Sequence, residues 1–324
     1  MTMVNTKRVV TITLNPALDL TGSLESLNVG TVSLVNQSNL RAAGKGVNVA
    51  KVLADLGAQV TVTGFLGKDN PELFHQLFNQ IGATNHFIEV EGATRINVKL
   101  VESSGQVSDI NFPGVKVTAG EAAKFEAKLL QLAKSHEYFV FAGSLPQGIS
   151  PQQCAAWIEL LRSQGKKVLF DSSKTALHAG IAAQPWLIKP NDEELSELLG
   201  QHLSSPEECQ KAAEQLSTSG IENIVVSMGA DGVMWLNEQQ WIRAQPPRMD
   251  VVSTVGAGDT LVAGLCWGHM QNMPKHELLR FATALSAIAV SQVGVGLTSQ
   301  QELEQVTLAT KVFDLGQASS HNGN

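Results

Sequence analysis

The sequence predicts an α/β fold: a doubly wound, mainly parallel sheet flanked by helices, with a small β-sheet lid. Three observations point there. Short β-branched runs recur along the chain, "VVTITLN", "VTVTGFLG", "YFVFAGS", "KVLFDSS", "WLIKPN" and "NIVVSMG". Most are apolar throughout, as suits strands covered on both faces. Helix-like segments fall between them, the alternation of a doubly wound domain. Several strands run out into small or polar clusters, "NPALD", "AGSLPQG", "DSS", "KPN" and "SMGADG". Open α/β sheets bind ligands at the carboxyl ends of their strands, so these clusters are expected to converge on one crevice.

In chain order, the first strand leads into residues 17–40, rich in Thr, Ser, Val and Asn with little helical period. A helix follows, in which Val49, Val52, Leu53 and Leu56 form one apolar stripe and Gly57 is placed to end it. Residues around 88–112 contain "TRINVKLVESSGQVSDINFPG", two alternating runs with a turn at "SSGQ", which read as a hairpin. Residues 17–40 and 88–112 are therefore expected to form the β lid. They interrupt a main domain of residues 1–16, 41–87 and 113–315, and 316–324 make a flexible polar tail. Late in the chain "MDVVSTV" reads as a strand and "TLVAGLCWG" as a helix start.

The chain has 324 residues, 43% hydrophobic and 16% charged, an ordinary globular balance. A net charge of −7 supplies no global field for nucleic acid, and no such partner is expected. Cys154, Cys209 and Cys266 are widely spaced and make neither a disulfide framework nor a zinc pattern. The opening "MTMVNTKRVVTITLN" lacks a long apolar core ahead of a cleavage site. No apolar run is long enough to span a bilayer. The expected setting is the cytoplasm, with no membrane partner.

The chemistry concentrates at Gly256-Ala257-Gly258-Asp259, between the expected strand and the expected helix. First-turn N–H groups are unpaired and carry the positive end of the helix dipole. Small residues let a phosphate approach them closely. Asp259 then stands beside the cradle, placed to take a proton from an attacking hydroxyl. The competing reading is a helix cap beside tightly packed glycines. "AAGKGVNVA" is no Walker loop, since Gly46 follows Lys45. Nor is it a dinucleotide fingerprint, since Val49 stands where the third glycine belongs.

Taken together, "TLNPALD", "AAGKGVNVAKVLADLG", "TRINVKL", "AGSLPQG", "PWLIKPNDEEL", "SMGADG" and "STVGAGD" resemble, in this order, the ribokinase-like sugar kinases of the PfkB type, most of all their 1-phosphofructokinase branch. The resemblance implies transfer of a phosphoryl group from ATP, with Mg²⁺, to the C6 hydroxyl of fructose 1-phosphate. It implies Asp259 as base and Gly256, Ala257 and Gly258 as anion hole. Asp19 and Asn48 would grip sugar hydroxyls, beside Gly44 and Gly46. Lys45, Arg95 and Ser144 would meet the phosphate already on the sugar. Lys189, Asn191, Ser227, Gly229, Gly232, Thr254 and Val255 would hold ATP together with Gly256 and Gly258. Asn191 and Glu194, three apart, would organise Mg²⁺ indirectly; without the resemblance they read as an N-cap and a first-turn acid. The lid would close over the sugar and pair with another lid in a homodimer.

Two positions depart from that pattern. Ala43 replaces a frequent glycine, so Gly44 must supply the loop's flexible position, and Ser253 replaces a frequent acid, which leaves any monovalent-cation site open. Two rival readings remain. One is a kinase of the same fold acting on tagatose 6-phosphate, fructose 6-phosphate or an unphosphorylated sugar, the last opposed by Lys45 and Arg95. The other is a non-catalytic sugar-phosphate sensor that binds a regulator.

Overall fold

The computed structural model describes residues 7–318. From the N-terminus the elements are β1 (Arg8–Thr13), β2 (Ala17–Leu24), β3 (Val35–Ala43), α1 (Lys45–Asp55), β4 (Gln59–Gly67), α2 (Glu72–Gln80), β5 (Thr84–Asn85), β6 (Ile88–Val90), β7 (Ile96–Glu102) and β8 (Val107–Ile110). Then come α3 (Ala119–Ala133), β9 (Tyr138–Ala142), α4 (Pro151–Ser163), β10 (Lys167–Asp171), α5 (Lys174–Ala182), β11 (Leu187–Ile188), α6 (Asp192–Leu199), α7 (Pro206–Ser217) and β12 (Asn223–Ser227). The chain closes with β13 (Val233–Asn237), β14 (Gln240–Gln245), α8 (Ala257–Met270), α9 (Lys275–Ala289), α10 (Gln300–Ala309) and β15 (Lys311–Gln317).

The large sheet runs β15-β14-β13-β12-β11-β10-β9-β1-β4-β5, with β6 also on β4. From β12 to β6 every pairing is parallel. Parallel neighbours need crossovers, and the helices supply them. The other edge is an antiparallel meander, β12 to β15, that the sequence reading did not foresee. Its β13–β14 turn holds Glu238 and Gln239 at φ 52 and 60, the backbone of a two-residue hairpin loop. Alternate side chains of β1 point to opposite faces. Val9 joins the apolar cluster with α1, α8 and α9, and Val10 and Ile12 join that with α3, α4 and α7. Helix α8 is buried continuously from Asp259 to Cys266, and from Leu261 to Cys266 every residue is apolar, as suits a helix covered all round.

A second sheet, β3-β2-β7-β8, stands apart from the first. Three stretches depart from the reading of the sequence. Ile88–Val90 pairs with β4 in the large sheet rather than with the small one. Gly316 and Gln317 are in β15, paired with Trp241 and Gln240, because the edge of the meander offers free backbone partners; 319–324 lie outside the described residues. "MDVVSTV" is not a strand. Pro246 and Pro247 follow β14 and lack the N–H groups that continued pairing needs. The segment instead donates Val252 N and Ser253 N to Val290 O at the end of α9.

Strand order reverses around β1: the chain goes first to β4 on one side and later to β9 on the other. Ligand crevices open at such switch points. A cleft of about 1220 Å³ opens there, at the carboxyl ends of β1, β9, β10, β11 and β12 and under the small sheet.

Candidate active site

Gly256 caps α8 at φ 84, a left-handed conformation natural to glycine. A side chain there would also begin 2.3 Å from Val295 Cγ2. The turn is pinned on both sides: Ser286 Oγ donates to Ala257 O at 2.8 Å, and Thr260 Oγ1 to Gly256 O at 2.8 Å. Ser253 Oγ accepts from Val255 N at 3.2 Å, so this serine shapes the approach to the turn. Thr254 to Asp259 all line the cleft.

The N-cap of α8 is Gly256, and the Asp259 carboxylate in the first turn is engaged by a side chain of α1 and not by the backbone of its own helix. It is 6% exposed. Its Oδ2 accepts from Asn48 Nδ2 at 2.7 Å. Burial, and next the charge of Asp171, push its carboxyl up to about 6; Asn48, Lys45 and Lys189 counteract only in part. A base that changes charge close to neutrality suits proton transfer.

Asp171, at the end of β10, was not singled out from the sequence. It is 1% exposed and pairs with two lysines, Oδ2 with Lys45 Nζ and Oδ1 with Lys189 Nζ, each at 3.3 Å. Burial alone would raise its carboxyl, but Lys189 and Lys45 hold it below the ordinary range. Lys189 is 4% exposed. A side chain added at Gly258 would begin 3.6 Å from Lys189 Nζ, so this ammonium lies under the glycine turn. Lys45, 39% exposed, also stands 4.0 Å from Glu194 Oε1. Burial works against its charge, but Asp171, Asp259 and Glu194 outweigh that and raise its proton affinity.

Asn191 and Glu194 form a reciprocal cap. Glu194 N donates to Asn191 Oδ1 at 2.7 Å and Asn191 N to Glu194 Oε2 at 3.1 Å. Both line the cleft, with Glu194 Oε1 outside the cap. No group of three His, Cys, Asp or Glu side chains is set to enclose a metal among the described residues. Mg²⁺ commonly takes one or two carboxylate oxygens and waters, and Glu194 Oε1 is the oxygen the cap leaves for such an ion. Ser227, Gly229 and Gly232 line the same end. So do Pro246, Met249, Thr283, Ala287 and Val290, a mostly apolar wall with no motif in the sequence to mark it.

At the other end lie Asp19, Asn97, Asn15, Arg95 and Ser144. Arg95 bridges the two sheets, donating to Asn15 O at 3.1 Å, Phe112 O at 3.2 Å and Pro16 O at 3.3 Å. Its Nη2 reaches Ser144 Oγ at 3.5 Å. Asn15 Nδ2 donates to the same hydroxyl at 3.1 Å. Gly44 lines the cleft at φ 133, while Ala43 ends β3 in ordinary extended pairing with Ala17. Glycine was needed at one of these positions only. Gly46 does not line the cleft, unlike its neighbours Gly44, Lys45 and Asn48. A side chain there would begin 2.4 Å from Thr13 Oγ1 and 2.7 Å from Ile12 O, so it serves the close packing of α1 on β1.

Among the described residues, no helix is long and apolar enough to cross a membrane. The chain is 70% identical over 310 residues to a 1-phosphofructokinase of Vibrio cholerae serotype O1, covering 96% of this chain and 98% of that protein. It is 48% identical over 298 residues to a 1-phosphofructokinase of Escherichia coli K12, covering 92% and 95%. The crystal structure of phosphofructokinase-2 from Escherichia coli in complex with substrates and products aligns at TM-score 0.86 and 28% identity, over 93% of this chain and 98% of that one. The profile of the pfkB family carbohydrate kinase matches residues 9–302, nearly the whole of both sheets and of the cleft between them: the chain belongs to that family.

Proposed function

We propose that this kinase transfers the γ-phosphoryl group of ATP to the C6 hydroxyl of fructose 1-phosphate, giving fructose 1,6-bisphosphate and ADP. One observation carries the reading: Asp259, a buried carboxylate with its proton affinity raised toward neutrality, stands between the glycine turn and the sugar end of the cleft. Asp259 takes the hydroxyl proton as the oxygen bonds to phosphorus. The bond from phosphorus to the bridging oxygen breaks, and its electron pair leaves with ADP. The N–H groups of Ala257, Gly258 and Asp259, with Lys189 beneath them, meet the charge on the group in transit. Asn191 and Glu194 would hold Mg²⁺ at this end, and the ion would supply positive charge against the phosphates of ATP. Arg95, Ser144 and Asn15 take the phosphate on the sugar, and Asp19 its hydroxyls. The substrate assignment rests on the identity of 70% to a protein named for that activity.

A second reading, fructose 6-phosphate as acceptor, draws on the phosphofructokinase-2 structure in complex with that sugar, at 26% identity and TM-score 0.85. ADP release measured across fructose 1-phosphate, fructose 6-phosphate and tagatose 6-phosphate separates the readings. The expected outcome is kcat/KM for fructose 1-phosphate at least ~100-fold above either 6-phosphate. A preference for a 6-phosphate overturns the substrate and leaves the family standing.

The small sheet has two open edges, β3 and β8, with Val35, Leu40, Ile96, Val107 and Ile110 exposed. Open edges carrying apolar side chains need cover, and a second copy's lid supplies it in a homodimer. Three buried free thiols and a requirement for ATP agree with a cytoplasmic setting.

A further inference from the structure

Arg41, Asp19 and Asn97 form one transverse row on the small sheet: Asp19 of β2 is the register partner of Arg41 on β3 and of Asn97 on β7. Asp19 and Asn97 both line the cleft. Asn97 Nδ2 donates to Asp19 Oδ1 at 3.3 Å. That bond settles which end of the amide faces Asp19, because a carboxylate only accepts. Asn97 Oδ1 is turned away into a buried place without a partner. Flipping the amide would set acceptor against acceptor, so the arrangement has one stable sense.

This bond is the hydrogen bond Asp19 accepts among the described residues, and it leaves Oδ2 uncommitted. Burial keeps the Asp19 carboxyl above its ordinary range, while Asn97, then Arg41, Lys99 and Arg95, favour the charged form. Asn48, set beside Asp19 as a reader of sugar hydroxyls, has its amide nitrogen on Asp259 and makes no bond to Asp19.

We propose that Asn97 is a positioning residue that determines sugar specificity: it clamps one oxygen of Asp19 so that the other faces the cleft at a fixed angle, where it accepts from a ring hydroxyl of the sugar phosphate. The inference rests on the kinase reading above and deepens it. A carboxylate free to rotate would follow a hydroxyl to either face of the ring. A clamped one accepts from one face and leaves the epimer's hydroxyl without its partner, a mismatch that polar sites reject strongly.

The test measures Asn97→Ala and Asn97→Gln with fructose 1-phosphate and its C4 epimer, tagatose 1-phosphate. In Asn97→Ala, KM for fructose 1-phosphate is expected to rise about tenfold, the worth of one hydrogen bond to a charged group. KM for ATP and kcat should stay within about twofold, and the preference between the epimers should shrink about tenfold. Asn97→Gln keeps an N–H donor and should restore part of the preference. A merely structural role would move both epimers and ATP together. An unchanged epimer preference in Asn97→Ala, or a matching rise in KM for ATP, overturns the proposal. Absence of turnover of either sugar by the unmutated enzyme would overturn the fructose 1-phosphate assignment on which the proposal rests, a different result.

Discussion

Asn48 Nδ2 donates to Asp259 Oδ2 at 2.7 Å, tying the first turn of α1 to the first turn of α8 across 211 residues of chain. The bond joins the two glycine-opened helix starts of the sequence. It gives Asn48, which lines the cleft, a fixed bond to Asp259 and leaves its second N–H and its amide oxygen outside that bond.

The bond acts against burial and the charge of Asp171, which raise the Asp259 carboxyl, so its loss should show in the pH profile. The proposed role of Asp259 as base needs it ionised, so kcat/KM is expected to fall as pH drops through about 6. The Asn48 N–H favours the charged form, so Asn48→Ala should move this limb to higher pH. A phosphomonoester also titrates near pH ~6, so the displacement is diagnostic and the limb alone is not. A limb that stays in place would show that another group titrates.

Asp259→Asn should lower kcat at least ~100-fold, the low end for a positioned base, with both substrates still bound. It should also stabilise the fold at alkaline pH. A carboxyl raised to about 6 favours the folded state below its ordinary range and loses that advantage as pH rises through the raised value. The neutral amide has no such loss. Urea unfolding at pH 8 and at pH 5 checks the sign.

Asp171→Asn should cost about 3 kcal/mol near neutrality, the lower end for a broken buried pair, because Lys45 keeps some access to water. Asp171 is depressed when folded, so its contribution is present above the ordinary carboxyl range and lost as pH falls through the folded value. The gap between variant and parent should therefore narrow on strong acidification. A constant gap would assign the effect to packing.

Arg95→Ala should raise KM for the sugar phosphate by roughly ten- to a hundredfold and leave KM for ATP near its starting value. The three carbonyls that Arg95 holds, of Asn15, Pro16 and Phe112, belong to loops at the sugar end. A rise in KM for ATP instead would mean the two phosphate ends have been exchanged.

Gly256→Ala should reduce stability by about 1–2 kcal/mol, from strain at positive φ together with the contact at Val295. Its kcat should fall with it, because the anion-hole turn must shift. Melting temperature and kcat measured side by side test this, and full activity would separate the turn from the chemistry.

The sequence by itself determined the alternation of strands and helices, because strand runs buried on both faces and one-sided helix stripes leave a local periodic record. It also determined the glycine turn before Asp259, since close backbone approach can be met by few residue types. Tertiary structure alone decided what rests on neighbours distant in sequence. "MDVVSTV" has strand propensity but no strand beside it after two prolines. Gly46 belongs to a glycine motif set beside the sugar, but a side chain there would meet Thr13 and Ile12. Asp171 and Asn97 carry no pattern of their own. One gains its place from Lys45 and Lys189 and the other from Asp19, partners that only the packed sheets bring within reach. Whether a polar side chain binds a ligand or another side chain is a matter of distance across the fold, and residue order does not encode that distance locally.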